Sequence, residues 1–190
     1  TLRGIIEGHK WANDITNCWQ SVDDIKDRML CFLENHDEQR IASQFFASDP
    51  WKAIPALVVS CCLEKCSYMH YFGQEVGENA HYAEGFSGND GRTSIFDYCG
   101  VTQHQNWMNE GAFDGGLLTE DRKKLRSIYK TILSIALLNE TVQKGSFYDL
   151  QWFNRDNENY YDRFIYSFLR YSKNEVLLFI VNFDNLTHNI

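Results

Sequence analysis

Asn35, His36 and Asp37 stand side by side in the stretch FLENHDEQR, directly after the short apolar run of residues 29–33. A carboxylate at the end of a strand can stabilise a positive, oxocarbenium-like centre, and a neighbouring imidazole can hydrogen-bond a hydroxyl of a sugar. In a barrel of parallel strands and outer helices the functional residues sit at the carboxyl ends of strands, so a strand ending at Leu33 would present all three at the catalytic face. The same spacing also suits a turn in which Asp37 caps the next helix and His36 fills the bend, and spacing alone does not choose between them.

The elements that must position these residues can be read from periodicity. Ser21 followed by Asp24 resembles a capping box, and Val22, Ile25 and Met29 recur at helical spacing, which predicts a short helix leading into a buried strand at 29–33. From Pro50 a helix is expected, with both prolines in its first turn and Leu57, Val58, Cys61 and Cys62 along it. A second strand follows at 68–72, ending in Gly73. Strand, helix, strand is the βαβ unit, which implies parallel pairing. A Gly-, Asn- and Asp-rich region then runs from Gly77 to about Gly116, far longer than the roughly 12–15 residues usual for unstructured connections, and such loops are usually functional. Its 87–92 stretch lacks the Lys-Ser/Thr ending of a phosphate-binding loop. Thr119 caps an amphipathic helix reaching about Asn139, with Leu125, Ile128, Tyr129, Ile132, Leu133, Ala136 and Leu137 on one face. Beyond it the period becomes two: strands are expected at 148–152, 164–171 and 176–183, the last two joined by a turn at Ser172, Lys173 and Asn174.

Composition narrows the partners. A net charge of -8 without any Lys/Arg-rich run lacks the footprint of a protein that grips phosphate backbones or anionic lipid, so nucleic acid and membrane surfaces are poor partners and a neutral substrate fits better. No membrane span is expected, because the longest uncharged apolar stretch, 53–63, is far short of about 20 residues. No apolar core of signal-peptide type follows Thr1 and Arg3, which leaves the compartment unread. Six cysteines, at 18, 31, 61, 62, 66 and 99, sit mostly inside apolar or helical patterns and read as reduced thiols. Cys62, Cys66 and His70, spaced four apart, would line one helical face as metal ligands if a helix ran that far.

FLENHDEQR resembles the fourth conserved region of the α-amylase superfamily, glycoside hydrolase family thirteen, whose pattern is an apolar strand ending in Asn-His-Asp. HYFGQEVGE, residues 70–78, is similar to the Tyr-Tyr-Gly-Gln-Glu stretch at that family's last barrel strand, and GRTSIFDY, residues 91–98, to the loop after it. The three segments occur in the family's order and cover most of the chain from Met29 onward. The resemblance implies an α/β fold: the C-terminal part of a (β/α)8 TIM barrel, strands 7 and 8 with flanking helices, over residues 1–140. The start of an antiparallel all-β C-terminal domain, a β-sandwich, would follow over 141–190.

By the same resemblance the parent protein is a retaining α-glucan hydrolase or transglycosylase. Asp37 corresponds to the third catalytic carboxylate, which stabilises the transition state, and His36, Asn35 and Arg40 to substrate-binding positions, with Arg92 a second loop arginine near the sugar. Glu75 corresponds to a glutamate that is not the proton donor and has a structural role. The chain departs from the family in carrying Glu64-Lys65-Cys66-Ser67 where a Gly-x-Pro segment commonly precedes the last strand. It also lacks a match to the segments bearing the nucleophilic Asp and the acid/base Glu. Retaining hydrolysis needs two carboxyl groups about 5–5.5 Å apart, and Asp37 is neither. The chain alone is therefore expected to be a catalytically inactive fragment that associates with other chains through exposed apolar surface. Calcium is common in the family, but its usual ligands precede this segment, so no cofactor is expected within these residues. Two alternatives remain: a noncatalytic amylase-like interaction protein, and a sugar-binding module using Tyr148, Trp152, Tyr160 and Tyr161.

Overall fold

The structure, a computed structural model, describes residues 1–81, 90–93, 101–188 and 190. Residues 87–89 of the Gly-rich stretch, 94–98 of GRTSIFDY and Cys99 lie outside the described residues. After α1 (Leu2–Ile6), helix α2 spans Asp14–Ser21, with the Asp14 carboxylate accepting the Trp11 N–H at 2.9 Å across its first turn. Ser21 therefore ends a helix where the sequence suggested a beginning. Its hydroxyl donates back to the Cys18 carbonyl at 2.7 Å, a local bond that competes with forward capping. A 3₁₀ turn at Lys26–Arg28 leads into strand β1, Leu30–Phe32. The strand falls where the apolar run predicts it but is not buried: Leu30 and Phe32 are 50% and 41% exposed. Among the described residues β1 has one strand neighbour, β2 (Ser67–Met69), in a two-stranded sheet.

Between these strands in sequence, Asp49 accepts the Trp51 N–H and caps a 3₁₀ turn, Pro50–Lys52, that runs on as α3, Ala53–Cys62. Because α3 stops at Cys62, positions 66 and 70 do not extend its face, and no group of three metal-ligating side chains forms among the described residues. β2 ends before the predicted Phe72, since the chain turns there, Gln74 N–H bonding to the Tyr71 carbonyl. Helix α4 covers Thr102–Met108, and α5 covers Glu120–Leu138, one residue inside the expected bounds, with Thr119 Oγ1 accepting the Arg122 N–H. The α5 residues Leu125, Tyr129 and Ile132 are buried, whereas Ile135, Leu137 and Leu138 are exposed. No helix among the described residues is long and apolar enough to cross a membrane.

Asn139 caps α6 (Glu140–Lys144), and an antiparallel sheet follows in the order β3 (Ser146–Asp149), β4 (Ile165–Tyr171), β5 (Val176–Asn182). β4 and β5 fall where the strands were expected and are joined by the predicted turn, Ser172 N–H bonding to the Glu175 carbonyl; β5 alternates in exposure, whereas β4 is buried on both faces. β3 does not reach Trp152, because Asp149 Oδ1 accepts the Gln151 N–H and turns the chain out of the sheet.

Two compact units form: Thr1–Cys31, Pro55–Tyr68 and Ile132–Ile190 in one, Phe32–Ile54 and Met69–Thr131 in the other. In the first, β4 is the central strand and its Phe168 ring stacks on its cross-strand partner Phe179 with centroids 4.8 Å apart. Asp149, buried at the end of β3, gathers Thr16 Oγ1, Trp19 Nε1 and Tyr166 OH on a single oxygen at 2.7–2.9 Å. Burial, followed by the charge of Asp149, pushes the Tyr166 phenol up, so it stays a donor. Arg170, also buried, donates to the carbonyls of Leu63, Val142 and Gly145 at 2.6–2.9 Å. Asp149→Ala strands the buried Thr16 and Tyr166 hydroxyls and the half-buried Trp19 N–H and is expected to cost about 3–5 kcal/mol in urea unfolding, against about 1–2 kcal/mol for Thr16→Val.

Candidate functional site

The second unit holds the Asn-His-Asp segment. After β1 the chain enters the interior at Glu34 (2% exposed) and returns to it at Arg40 (0% exposed). The two form an ion pair, Arg40 Nη1 to Glu34 Oε2 at 2.8 Å, while Glu34 Oε1 accepts the Ile41 N–H at 2.7 Å. Arg40 Nε donates to Thr93 Oγ1 at 2.8 Å, and the guanidinium lies 4.3 Å and 4.8 Å from the ring centroids of Tyr71 and Phe72. Burial pushes the Glu34 carboxyl up, against the opposing pull of the Arg40 charge and of the hydrogen bonds from Arg40 and Ile41. Arg40, expected beside the substrate, thus has no accessible surface to offer a ligand in this structure. Its role was not readable locally, because two of its partners, Tyr71 and Thr93, lie more than thirty residues downstream.

With both ends held inside, the residues between them form an outward loop. Asn35 Oδ1 accepts the N–H groups of Asp37 and Glu38, both at 2.9 Å, so the amide closes the turn on itself. The carboxylate of Asp37 caps no helix. It is 66% exposed and faces the half-exposed His36 ring, Nε2 to Oδ2 3.4 Å. Its backbone carbonyl accepts Arg92 Nε at 2.7 Å, and Arg92 is itself clamped to Asp90 through Nη1 at 2.8 Å. Gln39 Nε2 bonds the Asp90 carbonyl, and Arg40 N–H bonds the Gly91 carbonyl at 2.7 Å. Gly91 has φ +84°, and a Cβ there would sit 2.3 Å from Ser43 Oγ, so only glycine lets the two segments approach.

The HYFGQEVGE segment spends its carboxylates on structure. Glu75 Oε2 meets His70 Nε2 at 3.0 Å; burial raises its pKa, but the His70 hydrogen bond and charge, its own backbone and Arg126 outweigh this and hold it below the usual range. Glu78, fully buried, accepts four backbone N–H groups, those of Asn79 and Ala80 and those of Gln103 and His104 in the first turn of α4. Arg122 Nη1 bonds the Gly77 carbonyl so closely that a Cβ on Gly77 would land 1.7 Å from it. Sequence reasoning missed Glu34 and Glu78; a charged residue set into an apolar strand end, followed six residues on by an arginine, was the available signal for the first.

No protein-family model matches the chain, and no curated protein matches it. Solved structures do. The chain is 15% identical to a gamma-CGTase from Alkalophilic bacillus clarkii, with a TM-score of 0.57 over 95% of this chain and 22% of that one. It is 15% identical to an isomaltulose synthase from Klebsiella sp. LX3, with a TM-score of 0.55 over 91% of this chain and 38% of that one. An isomaltulose synthase from Erwinia rhapontici NX5 gives 18% identity and a TM-score of 0.53 over the same shares. These likenesses show the fold: an α/β, amylase-like fold with a small antiparallel sheet. The chain spans about a fifth to two fifths of the length of the structures it matches.

Two measurements probe this scaffold. Glu34→Ala, which leaves a buried guanidinium without its counter-charge, is expected to lower stability by about 3–5 kcal/mol, and pairing it with Arg40→Met should recover most of the loss in a double-mutant cycle. The depressed pKa of Glu75 means that its contribution is fully present above about pH 4.3 and is lost as pH falls through the folded value. The melting-temperature gap between the wild type and Glu75→Gln should therefore be widest near neutrality and narrow as pH falls below about 4.3.

Proposed function

We propose that the chain is part of a retaining, α-glucan-active glycoside hydrolase or transglycosylase of α-amylase type, in which Asp37 stabilises the transition state. One observation carries the reading. Of the five acidic groups in the two motif segments at 34–40 and 70–78, Glu34, Glu75 and Glu78 are bound inside the protein, while Asp37 and Glu38 lie on the exposed loop, and of those two it is the Asp37 carboxylate that stands beside an imidazole. An anion so placed can stabilise positive charge developing on a sugar ring, and His36 can donate to a ring hydroxyl. Asn35 shapes the turn that presents both. Arg40 acts as a positioning residue, holding the loop without touching substrate. Hydrolysis and transfer share this chemistry, and the glucan linkage is set by other parts of the site.

In this reading residues 1–140 belong to the C-terminal part of a (β/α)8 barrel and 141–190 begin a β-sandwich. The nucleophile, the acid/base and any calcium ligands come from polypeptide outside this chain, so the chain alone is inactive. Apolar side chains left exposed on β1 (Leu30, Phe32), at the end of α5 (Leu137, Leu138) and on alternate positions of β5 (Val176, Leu178, Ile180) support it, since they are surfaces that further structure would cover. The isolated chain should self-associate in sedimentation experiments; a compact monomer would count against this part.

The decisive experiment uses the full-length parent. Asp37→Asn should lower kcat on an α-1,4-glucan by roughly 10²–10³-fold with little change in melting temperature, because the exposed carboxylate contributes little to packing. The 190-residue chain given the same glucan should release no reducing sugar. Retention of parent activity in the variant, or turnover by the isolated chain, would overturn the assignment.

A second reading, a sugar-binding module, is favoured by a cavity of about 390 Å³ within the first unit, lined by Asn13, Asn17, Trp152, Asn154, Arg155 and Asp162 among others. Its size suits a small ligand, and amide, guanidinium and carboxylate groups beside an exposed indole suit a neutral polyhydroxylated one. Titrating the chain with maltotriose should quench tryptophan fluorescence at millimolar concentration, and Trp152→Ala should abolish the change. An unaltered spectrum removes this reading and leaves the first untouched.

A further inference from the structure

Cys31 is the central residue of β1, and Cys66 immediately precedes β2. Pairing of the two strands brings together sulfurs that are 35 residues apart in sequence: Cys31 Sγ and Cys66 Sγ are 2.7 Å apart. That is inside van der Waals contact and less than about 1 Å longer than a disulfide bond of about 2.05 Å. The neighbouring cysteines lack such an arrangement, for Cys61 and Cys62 are buried in α3 and Cys18 is exposed on α2, none with a thiol partner among the described residues. Both sulfurs of the close pair are partly accessible. They line an apolar cavity of about 180 Å³ together with Leu2, Trp19, Val59 and Leu63, so a small reagent can reach them.

We propose that Cys31 and Cys66 form a thiol–disulfide site, closed by exchange with a low-molecular-weight disulfide such as oxidised glutathione. The two sulfurs have distinct roles. The hydrogen bond from Cys66 lowers the pKa of Cys31, against burial and the charges of Cys61 and Cys18, while the hydrogen bond to Cys31 and then burial raise that of Cys66. Either sulfur can donate to the other in the contact, and these opposite shifts favour Cys31 as the attacking thiolate with the proton on Cys66. The Cys31 thiolate attacks one glutathione sulfur, forming a mixed disulfide and expelling glutathione thiolate. Cys66 then gives up its proton to that departing thiolate or to solvent and attacks the Cys31 sulfur, expelling the second glutathione. Two protein thiols and one glutathione disulfide become one protein disulfide and two molecules of glutathione, with no other reductant or oxidant required. The crosslink ties β1 to the start of β2, closing a loop of 35 residues and restricting the unfolded chain. This site is independent of the glycosidase reading.

The test uses the 190-residue chain with oxidised glutathione, analysed under denaturing, non-reducing conditions. Titratable thiols should fall from six to four, the intact mass should drop by two hydrogens, and peptide mapping should link the segments bearing Cys31 and Cys66. Closure should raise the melting temperature by roughly 5–15 °C, reversibly with dithiothreitol. Cys66→Ser should instead accumulate one glutathionyl group on Cys31, since the resolving sulfur is gone. An unchanged thiol count, a link involving any other cysteine, or a stable mixed disulfide on the wild-type chain would each overturn the proposal, and the wild-type map decides even if the variant fails to fold.

Discussion

The candidate site depends on a buried charge. Moving a guanidinium and a carboxylate out of water costs several kcal/mol per ion, and Coulomb attraction offsets this only when the remaining donors and lone pairs are also satisfied. Arg40 and Glu34 meet that condition in large part: one nitrogen on the carboxylate, another on Thr93, two aromatic faces against the guanidinium, and the Ile41 amide on the second carboxylate oxygen. The geometric consequence follows from chain length. With residues 34 and 40 both anchored inside the second unit, the five residues between them must leave the interior and come back. His36 and Asp37 are exposed because the flanks of their loop are not, and the half-buried Asn35 closes the turn between.

The same economy of charge separates scaffold from chemistry in the neighbouring segment. Glu78 satisfies four amides that a turn and a helix start would otherwise leave unpaired. Glu75 holds the His70 imidazole, which in turn packs edge-on against Tyr129 at 5.7 Å. A carboxylate bound in this way has little left to offer a reacting centre. Asp37 differs because its loop partners bind its backbone: Arg92 takes its carbonyl and Asn35 takes its amide, leaving the side chain, among the described residues, for His36.

Much of this was legible in the sequence wherever the determining interactions are local. The period of 3.6 from Leu125 to Ile132 and the Thr119 cap fixed α5 within a residue, and the apolar runs on either side of the polar 172–174 turn fixed β4, buried on both faces, and β5, which alternates in exposure. Ser21 and Trp152 were misread for a related reason: each sits beside a side-chain-to-backbone bond, Ser21 to Cys18 and Asp149 to Gln151, that ends an element without disturbing its apolar pattern. The exposure of Leu30 and Phe32 was not legible, since burial of a strand depends on what its neighbours cover. Nor was the interior position of Arg40, whose hydrogen-bond partner Thr93 lies 53 residues away. The Asn-His-Asp motif was visible from the resemblance, but the pair of charges that presents it was not.

Buried charge also constrains register in the first unit. A one-residue slip turns every side chain of a strand to the other face of its sheet, apolar and polar alike. A one-residue slip of β3 along β4 would turn Asp149, now opposite Phe168, to the other face of the sheet. Thr16, Trp19 and Tyr166 would then point three donors at nothing, and Asp149 would lose all three at once. The penalty of several unsatisfied polar groups exceeds what rearranged apolar packing can return. Hydrophobic burial supplies most of the driving force for folding this unit, and the three bonds to Asp149 add a polar penalty to any other alignment of β3 on β4.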